Sequence, residues 1–318
     1  MYYSHIELGE VLSYSDVSVV IPCFNESTTI LKVINDLRKK LPKCRIIVVD
    51  NLSNDGTGEI ARTYSDLVVV EQQKGKGYAF LKGVSVAKNR IIVLVDGDAT
   101  YDLKNLKLMI NSVRNGIDMS VATRIPHNSQ SFPYGHSLGN KFFSKLQKKS
   151  FNSMVEDAFS GLRVFSSDFL TSYVSKSKGF ELETSLNFHA WLIGAEVKNF
   201  DCKYYSRSIG SESKLSTFFD GLKISKLMLL LLLKWKPAII LGIFIFFSML
   251  LATALMIIPV TEYFNTGKIL HIPTLLVSLN LYVISSVLLI YILLISRIIN
   301  LQLEVLKRDY RYFKLQLR

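Results

Sequence analysis

Asp96 and Asp98 stand one residue apart in "IIVLVDGDATYD" (91–102), directly after five apolar residues, in a chain of formal net charge +12. Two carboxylates that close repel each other unless a cation sits between them. If extended geometry persists, residues i and i+2 project to the same side. They then form a pair of hard oxygen ligands suited to Mg2+ or Mn2+, with water and substrate phosphates completing the shell. Other polar groups have spacing that suits a phosphorylated ligand. Asp50 in "VVDNLSNDGTG" can accept a hydrogen bond from a nucleobase or ribose, while Asn54, Asp55 and Gly56 beside it read as turn chemistry. Lys76 in "KGKG" (74–77) precedes a helical stretch, where backbone N–H groups and an ammonium attract phosphate. Arg207, Ser213 and Lys214 in "YYSRSIGSESKL" (204–215) make a cradle for a lipid phosphate, or a basic loop that only holds headgroups.

The elements that must position these groups alternate regularly. Short β-branched runs at 17–22, 45–50, 67–70, 90–96 and 118–124 are separated by stretches with helical spacing, such as Ile30, Ile34, Leu37 and Leu41. Continuous apolar strands separated by helices predict an α/β fold, a mainly parallel sheet covered on both faces. Ligands of open parallel sheets bind beyond the carboxyl ends of the strands. Those ends carry Asn25 and Glu26, Asp50 and Asn51, Asp96 and Asp98, and Arg124.

The mean hydropathy of the 318-residue chain is +0.27, although a fifth of its residues are charged. The apolar weight lies near the C-terminal end. The stretches 238–258 and 274–295 are free of charge, and about 20 residues at ~1.5 Å each span a ~30 Å hydrocarbon layer. The intervening stretch, 259–273, holds one basic residue, Lys268. Lys223, Lys226, Lys234 and Lys236 precede the pair, and Arg297, Lys307, Arg308 and Arg311 follow it. Positive-inside bias puts both flanks in the cytoplasm. The expected organisation is a cytoplasmic domain (1–217), an interfacial helix (218–236), a transmembrane hairpin (237–299) and a basic cytoplasmic tail (300–318). This makes a multi-pass protein of the cell (inner) membrane with both termini cytoplasmic, one that self-associates, if at all, through the hairpin. "NKFFSKLQKKSF" (140–151) reads equally as a membrane-touching or a solvated helix.

Several classes are disfavoured. The start "MYYSHIELGE" has no signal-peptide pattern. The three cysteines have no CxxC spacing and read as reduced core thiols. No histidine has HExxH spacing, and His189 and Trp191 read as core. The lysines crowd the apolar segments and no nucleic-acid motif occurs, so the basic charge is assigned to an anionic bilayer and not to nucleic acid. A sugar nucleotidyltransferase would share an α/β core but needs a Gly-rich loop where this chain has "CFNES".

Taken together, "VVIPCFNE", "VVDNLSNDGTG", "DGDATYD", "DAFSGLRVFS", "GFELETSL" and "RSIGSESKL" resemble, in order, the motifs of inverting family-2 glycosyltransferases of GT-A fold. With the hairpin, the chain is similar to polyprenyl-phosphate glycosyltransferases such as dolichol-phosphate mannose synthases and bactoprenol glucosyltransferases. The resemblance implies that Pro22, Phe24, Glu26, Asp50 and Asp96 hold the nucleotide and that Asp96 and Asp98 hold the metal. It implies that Arg124 and Arg207 contact phosphates, with Ser213 and Lys214 nearby, that Asp157 assists the acceptor, and that Glu183 faces the sugar. Thr100 stands where some members carry a metal-ligating glutamine, and Ser185 where close relatives carry another acid. The QxxRW motif of processive synthases is missing, which implies single transfer. The implied reaction moves one hexose from a nucleoside-diphosphate sugar, UDP-glucose or UDP-N-acetylglucosamine, to polyprenyl phosphate. A GDP-mannose-using synthase and a membrane-tethered nucleotide-sugar-binding module without transfer stay open as alternatives.

Overall fold

The computed structural model describes residues 13–127, 134–151, 153–174, 179, 181–207 and 217–316. Among these residues seven strands form one sheet: β1 (Val17–Cys23), β2 (Arg45–Asp50), β3 (Leu67–Val70), β4 (Ile91–Leu94), β5 (Met119–Pro126), β6 (Arg163–Ser166) and β7 (Val197–Tyr204). Their order is β3-β2-β1-β4-β6-β5-β7, and only β6 runs antiparallel to its neighbours. Between the strands lie α1 (Ile30–Lys40), α2 (Thr57–Tyr64), α3 (Lys76–Val86), α4 (Leu106–Arg114), α5 (Tyr134–Phe151), α6 (Ser167–Ser172) and α7 (Leu182–Ile193). The five strands read from the sequence are present, within three residues at each end.

Alternation along the strands builds a core on each face. Val17, Val19 and Ile21 join Ile30, Ile34 and Leu37 of α1 and Met109 and Ile110 of α4. Val20, Ile47, Val49, Ile92 and Leu94 join Ala79 and Phe80 of α3 and Leu182 and Leu186 of α7. Helix α3 lies so close to β1 that a Cβ at Gly83 would stand 2.3 Å from Val20 Cγ1. Cys23, Cys44 and Cys202 are buried free thiols. His189 is 8% exposed, hydrogen-bonds to Ser172 Oγ at 2.9 Å and packs edge-on against Phe169 and Tyr173. Burial lowers its pKa to about 4. The unfolded chain therefore binds a proton that the folded one refuses, and this part of the stability is lost as pH falls from about 6.5 toward 4. Denaturant unfolding of the wild type should show a loss of up to ~3 kcal/mol over that range, and a His189→Asn protein should show a flatter profile.

The chain divides into two compact units. One runs to Ile224 and takes back the stretch from Asp309; the other is Ser225–Arg308. Among the described residues after the sheet lie helices α8 (Thr217–Trp235), α9 (Pro237–Thr266) and α10 (Ile272–Gln316). Helices α9 and α10 are long and apolar enough to cross a membrane, and most of their apolar side chains are uncovered. Thr253 pairs with Tyr282 at 2.7 Å and Ser285 donates to Ser248 at 3.1 Å across the two helices. The first is longer than the apolar run 238–258 because it continues through Pro259, which forfeits one backbone bond without ending the helix. Glu262 then accepts the N–H groups of Leu270 and His271 at the turn. The second is 45 residues, about 67 Å at helical rise, so the basic stretch after 300 is helical to Gln316.

The end of α10 belongs to the sheet-bearing unit. Tyr310 lies in its core with Phe313 beside it, and Tyr310 OH and Lys314 Nζ donate to Asp118 Oδ1 at 2.8 and 2.7 Å. Asp118 is 2% exposed and also accepts Glu196 N–H at 2.9 Å. A chain stopped after Arg308 should lose ~3–5 kcal/mol, the usual result of stripping a partner from a buried charge. A melting temperature equal to that of the full chain would show that the docking adds nothing.

Candidate active site

The DxD turn follows β4 without a break. Ala99 takes a left-handed φ of 56°, which folds the chain back so that Thr100 donates to Asp98 Oδ1 from both N–H (3.2 Å) and Oγ1 (2.7 Å). Tyr101 forms a bridge with Tyr204, and Tyr205 N–H donates to Thr100 O at 2.8 Å. The end of β7 is thereby tied to the turn. Its continuation brings Arg207 Nη2 to 2.9 Å from Asp98 Oδ2. Asp98 is 4% exposed. Burial first, then the negative charge of Asp96, raises its carboxyl above the ordinary range, with Arg207 and Thr100 opposing.

A second path delivers Lys76. Asn51, just after β2, donates to Glu71 O and Gln73 O and accepts Gly75 N–H at 2.7 Å. That staple fixes the 71–75 loop, and α3 starts with Lys76 Nζ 2.6 Å from both Asp96 Oδ1 and Glu183 Oε1. Burial alone would lower the lysine's pKa, but the two carboxylates outweigh it and hold the ammonium protonated well above its ordinary range. Glu183, from the first turn of α7, is 2% exposed.

Beyond β5, Arg124 makes a two-pronged pair with Asp157, Nε to Oδ2 at 2.6 Å and Nη2 to Oδ1 at 2.8 Å, under the ring of Tyr204. Asp157 is 3% exposed. At the β1 end, Pro22 pairs with Val49 and Cys23 with Asp50. Glu26 is buried, with its N–H on Thr57 Oγ1 at 2.8 Å, and Lys74 Nζ lies 5.1 Å from the Phe24 ring centroid. Asp50 accepts Ser53 N–H at 3.0 Å and is 7% exposed. Asp55 stitches the two loops through Ser27 N–H and Thr57. Burial would raise its carboxyl, but the bonds from Thr57 and Ser27 prevail and bring it to about 2.

The structure thus joins Asp98 to Arg207, Asp96 to Lys76 and Glu183, and Arg124 to Asp157. Ser213 and Lys214 lie outside the described residues. The sequence reading placed Asn51 beside Asp50 at a strand end but missed its hold on the 71–75 loop, and it missed Tyr101, whose hydroxyl accepts Gly161 N–H.

The donor set suits a hard cation. Asp96 and Asp98 offer hard carboxylate oxygens, each already held by a basic side chain, Lys76 at 2.6 Å and Arg207 at 2.9 Å. No third His, Cys, Asp or Glu gathers into a metal cluster among the described residues, so a cation held by Asp96 and Asp98 would complete its shell from other oxygens. Gly161 packs on this pair, its N–H on Tyr101 OH at 2.6 Å, and a Cβ there would stand 2.0 Å from Asp96 Oδ2. Gly161→Ala should push Asp96 off Lys76 and lower turnover about 10–100-fold with the fold retained; an unchanged kcat would show that the Asp96 position is not needed.

Residues 18–173 match the family model described as Glycosyl transferase family 2, a range that includes Asp50, Lys76, Asp96, Asp98, Arg124 and Asp157 and ends before Glu183 and Arg207. The chain belongs to this family. Among similar proteins, the low-salt glycan biosynthesis hexosyltransferase Agl6 of Haloferax volcanii is 32% identical over 67% of this glycosyltransferase and 53% of Agl6. The chain therefore spans about half of that relative's length. The dolichyl-phosphate hexose transferase of the same organism is 25% identical over 67% of this chain and 92% of its own. Glucosyl-3-phosphoglycerate synthase from Mycobacterium tuberculosis, solved with Mn2+, UDP and glucosyl-3-phosphoglycerate, is 20% identical with a TM-score of 0.52, covering 68% of this chain and 78% of that one. That likeness speaks for a GT-A-like fold.

Proposed function

We propose that this glycosyltransferase moves one hexose from a UDP-linked sugar, UDP-glucose or UDP-N-acetylglucosamine, to a polyprenyl phosphate at the cytoplasmic face of the membrane. The observation that carries the reading is the Asp98–Arg207 pair. It pairs one DxD carboxylate, Asp98, with a guanidinium from the segment that leads into the long apolar helices, and a guanidinium suits a phosphate. The dolichyl-phosphate acceptor named for the Haloferax relative supports the lipid half of the reading. The Mn2+ and UDP in the mycobacterial neighbour support a divalent cation and a uridine donor.

Asp50 and Glu26, buried at the ends of their loops, receive the nucleotide, with Pro22 and Phe24 lining the same strand end. Asp96 and Asp98 would hold Mg2+ or Mn2+, which when bound neutralises the leaving diphosphate. The acceptor phosphate is already anionic at neutral pH, so no strong base is required. Arg207 and Arg124 hold it against electrostatic repulsion, in line with the anomeric carbon. Asp157, gripped at both oxygens, orients Arg124 in place of taking a proton. Glu183 faces the sugar, its carboxylate fixed by Lys76. Helices α9 and α10 form the membrane hairpin, with the lysine- and arginine-rich flanks cytoplasmic.

The test is incubation of membranes containing the full chain with radiolabelled UDP-glucose, UDP-N-acetylglucosamine and GDP-mannose in turn. Label from a UDP-sugar should enter the lipid extract. Label from GDP-mannose alone would replace the donor assignment, and binding without a lipid product would replace transfer with sensing.

A further inference from the structure

Arg163 opens β6, the one antiparallel strand, with Leu94 of β4 opposite it on one side and Val121 of β5 on the other. It is fully buried. Its guanidinium donates from Nε to Ser160 O at 2.8 Å, from Nη2 to Ala158 O at 3.1 Å and from Nη1 to Asn187 Oδ1 at 2.6 Å, with Met119 Sδ at 3.7 Å. Among the described residues every one of these acceptors is neutral. A buried cation without a paired carboxylate is costly, and an apolar side chain of similar volume would pack there at less expense. The arrangement therefore calls for a reason beyond packing.

That reason lies in what the guanidinium grips. The carbonyls of Ala158 and Ser160 belong to the short loop that carries Asp157 at one end and Gly161 at the other. Asn187 belongs to α7, one turn beyond Glu183, and passes the contact on to Gln147 of α5 at 3.0 Å and to Ala158 O at 3.1 Å. The Ser160 hydroxyl is buried with no hydrogen-bond partner, a loss that the grip on its neighbours must outweigh. Burial lowers the pKa of Arg163, while Glu183 and then Asp157 work to keep it charged. These are the two acids at the ends of what it holds.

We propose that Arg163 is a positioning residue that locks the 157–161 loop to α7, so that Asp157 on Arg124, Gly161 on Asp96 and Glu183 on Lys76 keep one fixed geometry. It touches no substrate and acts through these three contacts. The transfer readout below rests on the function proposed above, whereas the exchange readout does not.

The test uses the full chain in detergent micelles or membranes, as wild type, Arg163→Lys and Arg163→Met. Lysine keeps the charge but cannot reach two carbonyls and Asn187 together. In Arg163→Lys, amide hydrogen exchange at Phe159–Leu162 should rise at least about tenfold while α1 and α3 keep wild-type protection. Its kcat should fall at least about tenfold with the donor KM within about threefold, and Arg163→Met should be lower still. If Arg163→Met does not fold, Arg163→Lys decides alone. Wild-type protection of the loop in Arg163→Lys would overturn the proposal, as would an unchanged kcat or a loss confined to KM. A wild-type chain inactive toward polyprenyl phosphate would overturn the acceptor assignment and leave the exchange result to judge Arg163.

Discussion

Asp98→Asn should lower transfer by at least about 10²–10³-fold, the range seen when a group stabilising developing charge is removed, and it should do so without destabilising the protein. The two halves of that expectation come from the same contacts. Asp98 is buried, receives both donors of Thr100 and lies 2.9 Å from Arg207. Asparagine keeps the shape and one acceptor oxygen while removing the charge that a cation and Arg207 both need. Its carboxyl is raised by burial and by Asp96, so the folded state tolerates the ionised form less well than the unfolded chain does. With the folded value above the unfolded one, this site gains stability as pH falls through the folded value and is a burden above it. Removing the charge should therefore leave the melting temperature equal or higher at neutral pH, as at other sites where function strains the fold. The check is a lipid-product assay beside a thermal melt. A folded Asp98→Asn protein with undiminished transfer would remove the basis for the cation at this pair, as would full activity of the wild type in excess EDTA.

Lys76→Met should lower stability strongly. The ammonium is shared by Asp96 and Glu183 at 2.6 Å each, and its side chain is 14% exposed. Methionine fills much of the same volume but leaves Glu183 buried as an unpaired acid beside Asp96. Loss of one partner from a buried ionic group costs about 3–5 kcal/mol. The expected result is a large drop in denaturant midpoint at neutral pH. Arg at this position keeps the charge and should recover part of the loss. Chemical denaturation at neutral pH reads both effects. A Lys76→Met protein as stable as the wild type at neutral pH would mean that the bridge is solvated and contributes little.

Local chemistry made a large part of this molecule legible without coordinates. Hydrophobic periodicity depends on a few neighbouring residues, so the five parallel strands, their helices and the two apolar helices follow directly from 17–124 and 238–295. Asp50, Asp96, Asp98 and Arg124 were visible as candidates for a related reason: a charged residue ending a buried run has to lie at the rim of the sheet. The tertiary structure alone decided which of these groups meet. Lys76 reaches Glu183 across 107 positions, and Tyr310 reaches Asp118 across 192. Both contacts depend on the strand order and on β6 running against its neighbours, which no local pattern encodes. The full burial of Arg163 also shows only once the sheet closes over it. The continuation of α9 through Pro259 likewise depends on the surrounding helix, since proline's preference to interrupt is weaker than the bonds made on either side of it. Short-range propensities placed the functional groups on elements, and long-range packing paired them.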